Sequence, residues 1–477
     1  MLKRGQVIEL EIEDLAFGGK GVSRLKTENG NFILFVQNAF PGQKVRARIT
    51  KKRKKHAECT LLKILERSPQ EISTPFQETS GAPYINVPPE IQEKYKKETT
   101  FQVYKRLAGL KNIEELFDEF IPSPLHYFYR NKMEYSFSCI EHNIETDEEI
   151  DDSFALGSKT RGTWWKVENL KKPSGLFDEA WETYLVEFKD FLKSTGLPAW
   201  HPPKKVGFFR HIVVRKSFLE DKLLINLVTS SQGIEQFDIQ EVADFLQTKL
   251  GDRIAGFQHT INDNVADRAK IENGLNSLIF GKGHLVEELG GLHFEISMES
   301  FFQTNPKSAE LLYNKTLDYA FEGSRNFDGK VVMDLFCGTG TIGQLLSKRA
   351  ENVQIIGVDI VEEAIEDAKR NAKRNKIDNI QFFASDVRKF IYNYPEYEGK
   401  IDTIVLDPPR AGIAPKTLRK VIQLGAERIV YISCNPSTQA RDIQTLEEFG
   451  YQTKKISLVD QFPHTSHIEA VALFEKC

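Results

Sequence analysis

The sequence has few cysteines, and none of them lies in a Cys-x-x-Cys pair. The 477 residues contain five, at Cys59, Cys139, Cys337, Cys434 and Cys477. An odd number at scattered positions argues against a disulfide framework and against a zinc ribbon. It also leaves no clustered ligands for an iron–sulfur centre. We therefore expect no disulfide scaffold, no bound metal and no iron–sulfur cluster.

Long apolar runs are also missing. No unbroken stretch is long enough to cross a bilayer, and the opening residues MLKRGQVIELEIED lack the apolar segment of a signal peptide. The hydrophobic content of 40% and the charged content of 28% are ordinary for a soluble protein. We expect a cytoplasmic protein with no membrane contact, and the sequence indicates no obligate protein partner.

An overall positive charge is absent as well, since the formal net charge is −4. The charge is nevertheless uneven. Residues 1–66 contain fourteen Lys and Arg against seven Asp and Glu, a surplus of +7, which leaves −11 on the other 411 residues. A basic N-terminal module on an acidic body indicates a polyanionic partner for the small module.

The chain length predicts two to four domains. Residues 1–66 read as four or five short strands separated by glycine-rich and polar turns, which is typical of a small closed OB-like β-barrel. A basic run falls between two of these strands. It fits a solvated hairpin tip, but Arg46 and Arg48 beside it favour contact with RNA phosphates. The run comprises Lys51, Lys52, Arg53, Lys54 and Lys55.

Two further domains follow. A stretch rich in Pro, Ser and Thr begins at residue 68, and residues 67–299 then alternate strand-like with helical segments, which predicts a mixed α+β domain. From residue 300 the runs VVMDLF, QIIGVDI, QFFASD, TIVLDPP and RIVYISC alternate with helices. Continuous apolar strands with helical crossovers predict a parallel sheet covered on both faces, so we assign residues 300–477 to a Rossmann-like α/β domain.

The first strand of that domain runs into a glycine-rich turn at residues 337–343, C-G-T-G-T-I-G. Glycines there let a ligand approach the backbone, and Asp359, nineteen residues after Gly340, is placed to accept hydrogen bonds from a ribose. NAD-dependent and S-adenosylmethionine-dependent enzymes share this pattern, and a turn without a ligand is a third interpretation. Asp334, just before the turn, favours a cationic methionyl group over a pyrophosphate.

Two later strand ends carry unusual residues. The fourth strand ends in DPPR at 407–410. Consecutive prolines fix extended geometry and remove two N–H donors, which suits a rigid wall of a site at the carboxyl edge of the sheet. The fifth strand ends at Cys434, directly before an Asn-Pro pair. A packed core thiol is the ordinary interpretation of an isolated cysteine.

Several motifs together resemble one family, the RNA uracil-5-methyltransferases. They are LDPPRAG, YISCNPSTQARD, FPHTSHIEAV and, before the α/β domain, ESFFQTNP at 299–306. The N-terminal module resembles the TRAM domain, an RNA-binding barrel, and FYRNKMEYSF at 128–137 resembles a motif of the family's central RNA-binding domain. The resemblance spans essentially the whole chain, and it makes the core-thiol interpretation of Cys434 much less attractive.

The chain departs from the family's pattern in one respect. Many members hold an iron–sulfur cluster through cysteines that include a CGGC run before a helix. The corresponding stretch here, SGAPYINVPPEIQEKYK, contains no cysteine. We expect the cluster to be absent and the central domain to be held together by packing alone.

The resemblance implies a covalent mechanism. Cys434 is the thiolate that adds to C6 of uracil, and Glu469 is the base that removes the C5 proton. His467 orients or assists Glu469. From its charge alone, and not from the resemblance, Arg410 is a candidate helper that lowers the cost of making a thiolate. His464, in the same motif, is expected in a surface loop.

The resemblance also implies S-adenosylmethionine as the methyl donor. Asp359 takes the ribose, Gln303 reaches the methionyl end and Asp407 lies between donor and base. The remaining candidates are Phe336 at the tip of the first strand, Asp386 at the adenine edge, and Asp334, Gly338 and Gly340 in and before the glycine turn. Beyond the basic run, Arg130 and Lys132 are the candidates for RNA contact.

The function implied is methylation of C5 of a specific uridine in structured RNA, with transfer RNA and 23S ribosomal RNA both open. Cytosine C5 methylation, which also uses a thiolate, is one alternative. A non-catalytic RNA-binding protein that keeps the fold is a second, and a dehydrogenase built on the glycine turn is a third.

Overall fold

The structure is a computed structural model that describes residues 2–27, 30–144, 146, 148–264, 275–323, 327 and 329–477. The described strands form a curled N-terminal sheet, a large central sheet, a two-stranded hairpin and a C-terminal sheet. None of the helices in these ranges is both long enough and apolar enough to cross a membrane.

The N-terminal module is a curled sheet whose two edge strands are joined by only Ile12 and Glu13. Such a short connection requires the sheet to roll up so that its edges meet. Described residues form six strands here, rather than four or five, in the order β1-β5-β6-β4-β3-β2. They are β1 Val7–Glu11, β2 Asp14–Ala16, β3 Lys20–Thr27, β4 Gly30–Gln37, β5 Lys44–Lys52 and β6 His56–Glu66.

The segment after the module crosses to the C-terminal domain. Helix α1, Pro89–Val103, continues into a single π-helical turn at Tyr104–Ala108. The short helix α2, Ile113–Leu116, leads into strand β7, Phe117–Ile121, which joins the edge of the C-terminal sheet.

The central domain is a mixed sheet with two helices packed on it, as predicted. Its strands lie in the order β10-β9-β12-β11-β8-β13-β14-β15-β16. Trp181 and Phe188 on one helix and Leu246 on the other share an apolar core with β13 and β14. The elements are β8 Lys132–Ser138, β9 Glu141–Asn143, β10 Glu148–Ile150, β11 Ala155–Lys159, β12 Val167–Asn169, α3 Glu179–Ser194, β13 Phe209–Lys216, β14 Leu223–Thr229, α4 Ile239–Leu250, β15 Ile254–Ile261 and β16 Leu275–Gly281.

The C-terminal domain follows a hairpin and is doubly wound. Its sheet has the order β21-β20-β19-β22-β23-β25-β24-β7, with apolar clusters on both faces. The elements are β17 His284–Leu289, β18 Leu292–Ser297, α5 Pro306–Phe321, β19 Val331–Leu335, α6 Thr341–Arg349, β20 Gln354–Asp359, α7 Glu362–Arg374, β21 Ile380–Ala384, α8 Val387–Asn393, β22 Ile401–Leu406, α9 Pro415–Gln423, β23 Arg428–Ser433, α10 Pro436–Glu448, β24 Tyr451–Val459 and β25 Glu469–Lys476.

The parallel strands β19 to β23 place their carboxyl ends along one edge. From β19 the chain first adds β20 and β21 on one side and then β22 and β23 on the other. Ligands bind in folds of this kind at the crevice where the strand order reverses. The crevice here lies between β19 and β22, beside the glycine turn.

The sheets do not follow the sequence division at residues 299 and 300. Strand β7, which was assigned to the central domain, pairs in parallel with β24, and Phe117 packs against the C-terminal core. The hairpin β17–β18 belongs there too, since Phe294 and Ile296 share a cluster with α5 and α6. Such excursions depend on contacts between distant segments, which local sequence patterns do not encode.

Candidate active site

A cavity of about 1330 Å³ opens at the carboxyl edge of the C-terminal sheet. The loops after β19, β20, β22 and β23 and the start of β25 surround it, together with the segment before α5. The predicted residues that line it are Arg130, Gln303, Phe336, Gly338, Asp359, Asp386, Asp407, Arg410, Cys434, His467 and Glu469.

Two predicted cofactor residues support the cavity without lining it. Asp334 is fully buried, and its Oδ2 accepts a hydrogen bond from the Gly343 N–H at 2.8 Å. Gly340 has φ +74°, and a Cβ there would lie 2.5 Å from the Phe382 ring. The Asp334 carboxylate holds the glycine turn against helix α6 through Oδ2, and contact of Asp334 with the ligand stays a prediction.

The glycine turn leaves its tip open to a ligand. Phe336 adopts φ +66°, a left-handed conformation that is unusual for a residue other than glycine. Asp359 ties this turn to the loop after β20, since its Oδ2 accepts from Gly338 N at 2.9 Å and its Oδ1 from Val361 N at 2.9 Å. A Cβ at Gly338 would meet nothing within 4 Å, so a ligand can come close to the backbone there.

Residues after β22 form a rigid wall. A turn closes between the Pro409 carbonyl and the Gly412 N–H at 2.8 Å, and the Arg410 carbonyl accepts from Asn435 Nδ2 at 3.2 Å. The DPPR loop is thereby tied to the loop that carries Cys434. Burial raises the pKa of Asp407 to about 7, so this carboxyl titrates near neutral pH.

Cys434 lies between the end of β23 and the start of α10. Asn435 caps the helix by accepting from Ser437 N at 3.3 Å, and the positive end of the 13-residue helix favours a thiolate beside it. Burial nevertheless raises the pKa of Cys434 to about 11, and the carboxylates of Glu469 and Asp407 add to the rise. Arg410 acts in the lowering direction, as expected of a helper, but burial and the two acids outweigh it.

Glu469 and His467 approach the cavity from the start of β25. Glu469 is 4% exposed, and burial together with the neighbouring Asp407 raises its pKa well above the ordinary value. Burial, followed by the positive charges of Arg410 and Arg161, lowers the pKa of His467 to about 4. His467 is thus a neutral imidazole at physiological pH, able to orient a neighbour but not to act as a cation.

His464 lies in the interior, so its predicted surface position is wrong. Its side chain is wholly buried and stacks on Tyr127 with ring centroids 4.7 Å apart. Its backbone N–H donates to Gln92 Oε1 at 2.7 Å, and Gln92 Nε2 meets its Nδ1 at 3.1 Å. The polar motif that contains His464 looks like a surface loop in the sequence, but helix α1 packs over it.

Contacts from three segments fix the loop at residues 460–467, and we call this arrangement the loop clasp. Lys96 of α1 donates to Asp460 Oδ1 at 2.7 Å, and Tyr129 donates to the Pro463 carbonyl at 3.0 Å. From the N-terminal module, Gly19 approaches so closely that a Cβ there would lie 2.7 Å from Ser466 Oγ. Sequence reasoning missed the clasp, because a Gln and a Lys inside a polar helix give no signal of burial.

Sequence reasoning also missed cavity residues that are apolar or aromatic. Tyr313 of α5 is buried beside Gln303, which hydrogen bonds to its hydroxyl, and burial raises its pKa well above the ordinary value. Phe301 and Ile360 line the cavity with 69% of their surface exposed. The apolar pair that follows Asp359, Ile360 and Val361, was a usable signal, since both side chains remain exposed where they line the cavity.

A metal site is not found in the part of the chain that the structure describes. Those residues contain no group of three or more His, Cys, Asp or Glu side chains that could hold a metal ion. The segment at the position of the family's cysteine run is instead apolar. Its Ala82 and Ile85 pack with Tyr129 and Leu176, and Phe462 of the loop clasp covers them.

Comparisons with known proteins agree with this architecture. A family model described as tRNA (uracil-5-)-methyltransferase matches residues 277–477, and the TRAM domain model matches residues 2–62. RNA methyltransferases of Clostridium acetobutylicum and Caldanaerobacter subterraneus subsp. tengcongensis are each 36% identical to this chain, cover all of it, and are themselves covered to 99% and 100%. The crystal structure of Pyrococcus abyssi tRNA (uracil-54, C5)-methyltransferase with S-adenosyl-L-homocysteine is similar over 98% of this chain and 100% of that one, with a TM-score of 0.69 and 25% identity.

Proposed function

The chain belongs to the S-adenosylmethionine-dependent RNA (uracil-5-)-methyltransferase family, and from that premise we propose that it methylates C5 of a uridine in structured RNA through a covalent bond between Cys434 and C6. Family membership makes the dehydrogenase alternative untenable and disfavours cytosine as the target. The alternative of a non-catalytic RNA-binding protein is disfavoured by the presence of both Cys434 and Glu469 in one cavity.

The proposal rests on a thiol and two carboxyls that share one cavity. Uracil C5 is a poor nucleophile, so a bond must first form between Cys434 Sγ and C6. The electron pair of the C5=C6 double bond then moves through C4 to O4 and makes C5 nucleophilic. The thiol proton has to leave as this bond forms, and Asp407, whose pKa is about 7, can take it near neutral pH.

The second half of the cycle needs a base. After C5 has gained a methyl group, its proton goes to the Glu469 carboxylate, and the electron pair of the C5–H bond restores the double bond. The Sγ–C6 bond breaks in the same step, and Cys434 leaves as a thiolate. Burial of Glu469 suits this role, because a desolvated carboxylate is a stronger base than an exposed one.

The residues around the glycine turn fit an S-adenosylmethionine molecule. The open tip at Gly338, the fixed Asp359 carboxylate and the exposed apolar side chain of Ile360 offer a backbone contact, a ribose acceptor and an apolar face. Gln303 and Phe336 would hold the methionyl end, with Asp386 at the adenine edge. When bound, the donor supplies an electrophilic methyl group.

The target base has to leave its stack to reach Cys434, so a loop or a flipped nucleotide is the expected substrate. Lys51 to Lys55 project as an exposed hairpin tip from the N-terminal module and would grip flanking RNA. Transfer RNA is the first substrate to test, since the similar P. abyssi enzyme is named for it. The 23S ribosomal RNA is the second.

Mass-spectrometric mapping of 5-methyluridine tests the proposal. RNA from cells that lack this protein should lose 5-methyluridine at defined positions, and the wild-type chain should restore it. Cys434→Ala should restore none. Cys337→Ala is the matched control, because that thiol lines the same cavity but has no role in the chemistry, and it should restore the nucleoside. Restoration by Cys434→Ala would refute the covalent mechanism, and loss of 5-methylcytidine instead would move the target to cytosine.

A further inference from the structure

The loop between β11 and β12, residues 160–166, presents an exposed tryptophan. The Thr160 N–H donates to the Lys166 carbonyl at 3.1 Å, and the Thr163 N–H donates to the Thr160 carbonyl at 3.0 Å, so the loop is closed by its own backbone. Trp165 is anchored, since its carbonyl accepts from Ser138 Oγ at 3.0 Å. Trp164, by contrast, has 55% of its surface exposed. An exposed aromatic face is a surface on which an unpaired base can stack.

Arg161 of the same loop lies where the N-terminal module meets the cavity. Its backbone N–H donates to Ser80 Oγ at 2.8 Å, and its Nη1 donates to Asn38 Oδ1 at 3.0 Å. Asn38 follows strand β4 of the N-terminal module, and Gly81, next to Ser80, lines the cavity. The Arg161 guanidinium therefore donates to a neutral amide, and no ion pair with an acidic side chain of the described residues compensates its charge.

Arg161 is one of three arginines that we call the basic rim, with Arg130 and Arg410. Arg130 and Arg410 line the cavity, and all three contribute to lowering the pKa of the enclosed His467. Among the residues that the structure describes, no Asp or Glu forms an ion pair with any of the three. Like charges gathered without counter-charges repel one another, so such a cluster is typical of a site that receives an anion.

We propose that the 160–166 loop is a second RNA contact, in which Arg161 binds a phosphate next to the target nucleotide and Trp164 stacks on an adjacent unpaired base. Arg130 and Arg410 complete the phosphate site at the cavity mouth. This inference rests on the proposed function, because it assumes an RNA substrate. Trp164 lies three residues from Arg161, within about 11 Å along the chain, so one short RNA segment can reach both.

The two side chains have separable signatures. A guanidinium that neutralises one phosphate contributes about 0.7 to the slope of log Kd against log salt for single-stranded RNA. An aromatic platform contributes affinity that depends on unpaired bases but hardly on salt. If the same charge instead bound a protein partner, the two substitutions would change neither the salt dependence of RNA binding nor its dependence on unpaired bases.

The test measures binding of a fluorescein-labelled RNA hairpin with a uridine-rich loop, and of a fully paired duplex, to the full-length protein over a salt series. We expect Arg161→Gln to weaken hairpin binding and to reduce the salt slope by about 0.7. Trp164→Ala should weaken hairpin binding about ten-fold or more with the slope unchanged, and should affect duplex binding little. Trp164→Phe should recover most of the loss.

Arg349→Gln is the matched control for charge. Arg349 is at the C-terminal end of α6, on the opposite edge of the sheet from the cavity, so its substitution should leave the slope unchanged. Each variant should unfold at the wild-type melting temperature, which would show that its fold is intact. At saturating RNA, Arg161→Gln and Trp164→Ala should keep the wild-type kcat and raise only KM.

Outcomes separate this inference from the proposed function. If the wild type binds RNA and both variants bind the hairpin with unchanged affinity, the loop contact is overturned. The same holds if the variants lose only a protein partner. Weakened RNA binding in the variants, with no 5-methyluridine made by the wild type, supports the contact and refutes the proposed function. Absence of any RNA binding by the wild type refutes both.

Discussion

The two ends of the cavity carry different ionisable groups. Its floor, which we define as Asp407 and Glu469, consists of enclosed carboxyls whose pKa values burial raises. Its basic rim consists of arginines without acidic partners among the described residues. A cationic methyl donor and proton transfer suit the floor, while RNA phosphates suit the rim. One cavity can therefore serve two substrates of opposite charge if it binds the methyl donor at its floor and the RNA phosphates at its rim.

Glu469→Gln breaks the chemistry of the floor most directly. The amide cannot take the C5 proton, so turnover should fall by about 10²- to 10⁴-fold while the bond from Cys434 still forms. A methylated protein–RNA species should therefore accumulate with ordinary, unmodified RNA. Denaturing gel electrophoresis with a radioactive methyl donor would detect it.

The rim provides the control for that result. Arg161→Gln should accumulate no such species, because it acts only on RNA binding. Turnover of Glu469→Gln near the wild-type rate would contradict the assignment of the base.

Asp359→Asn should separate donor binding from RNA binding. A hydrogen bond to a charged acceptor contributes about 1.5–3 kcal/mol, so the Kd for S-adenosylmethionine should rise about 10- to 150-fold. Affinity for RNA should not change, which is the opposite of the result expected for the rim. Isothermal titration calorimetry measures both constants, and an unaltered donor affinity would remove Asp359 from the donor site.

Gly19→Ala tests whether the N-terminal module also positions the floor. The residue has φ +76°, and its new Cβ would collide with Ser466, two residues before the cavity residue His467. The left-handed conformation costs about 1–2 kcal/mol of folding stability, which should lower the melting temperature. The collision should also displace the loop that carries His467, so we expect kcat to fall by up to about 100-fold with little change in RNA affinity.

The double variant Gly19→Ala/Ser466→Gly sharpens this test. It removes the collision but keeps the backbone strain, so it should recover part of kcat. A loss of RNA affinity without a change in kcat would show that the module only captures RNA.

The last effect is a pH dependence of stability. The folded-state pKa of Asp407, about 7, is above its unfolded value, so the protonated form is favoured by folding. Its contribution is fully present below pH 4 and is lost as pH rises to 7, by at most about 1.4 kcal/mol per pH unit. The free energy of unfolding of Asp407→Asn should lack this slope. If urea unfolding shows that the free energy of unfolding depends on pH in the same way in both proteins, the role given to Asp407 is contradicted.

Strand-end motifs made much of the cavity predictable. Cys434, Asp407 and Asp359 each lie at the end of an apolar strand of a parallel sheet, and the carboxyl ends of such strands meet at one edge. The glycine turn was predictable for the same reason, but the hydrogen bond by which Asp334 holds it to helix α6 was not.

Long-range contacts were beyond sequence reasoning. The loop clasp joins Gln92 and Lys96 to a loop more than 360 residues away, and His464 is buried only because α1 lies on it. Strand β7 joins the sheet for similar reasons, since its partner β24 is about as far along the chain. Local polarity and periodicity describe one segment at a time and cannot report which distant segment covers it.

Covalent trapping tests the central claim most directly. An RNA with 5-fluorouridine at the target position has no C5 proton to release, so the enzyme and the methyl donor should stop at the bonded stage. Mass spectrometry of the digested complex should then find the methylated nucleotide on the peptide that contains Cys434, with no complex from Cys434→Ala. Efficient binding of this RNA without any linked peptide, or linkage to a cysteine other than Cys434, would contradict the account.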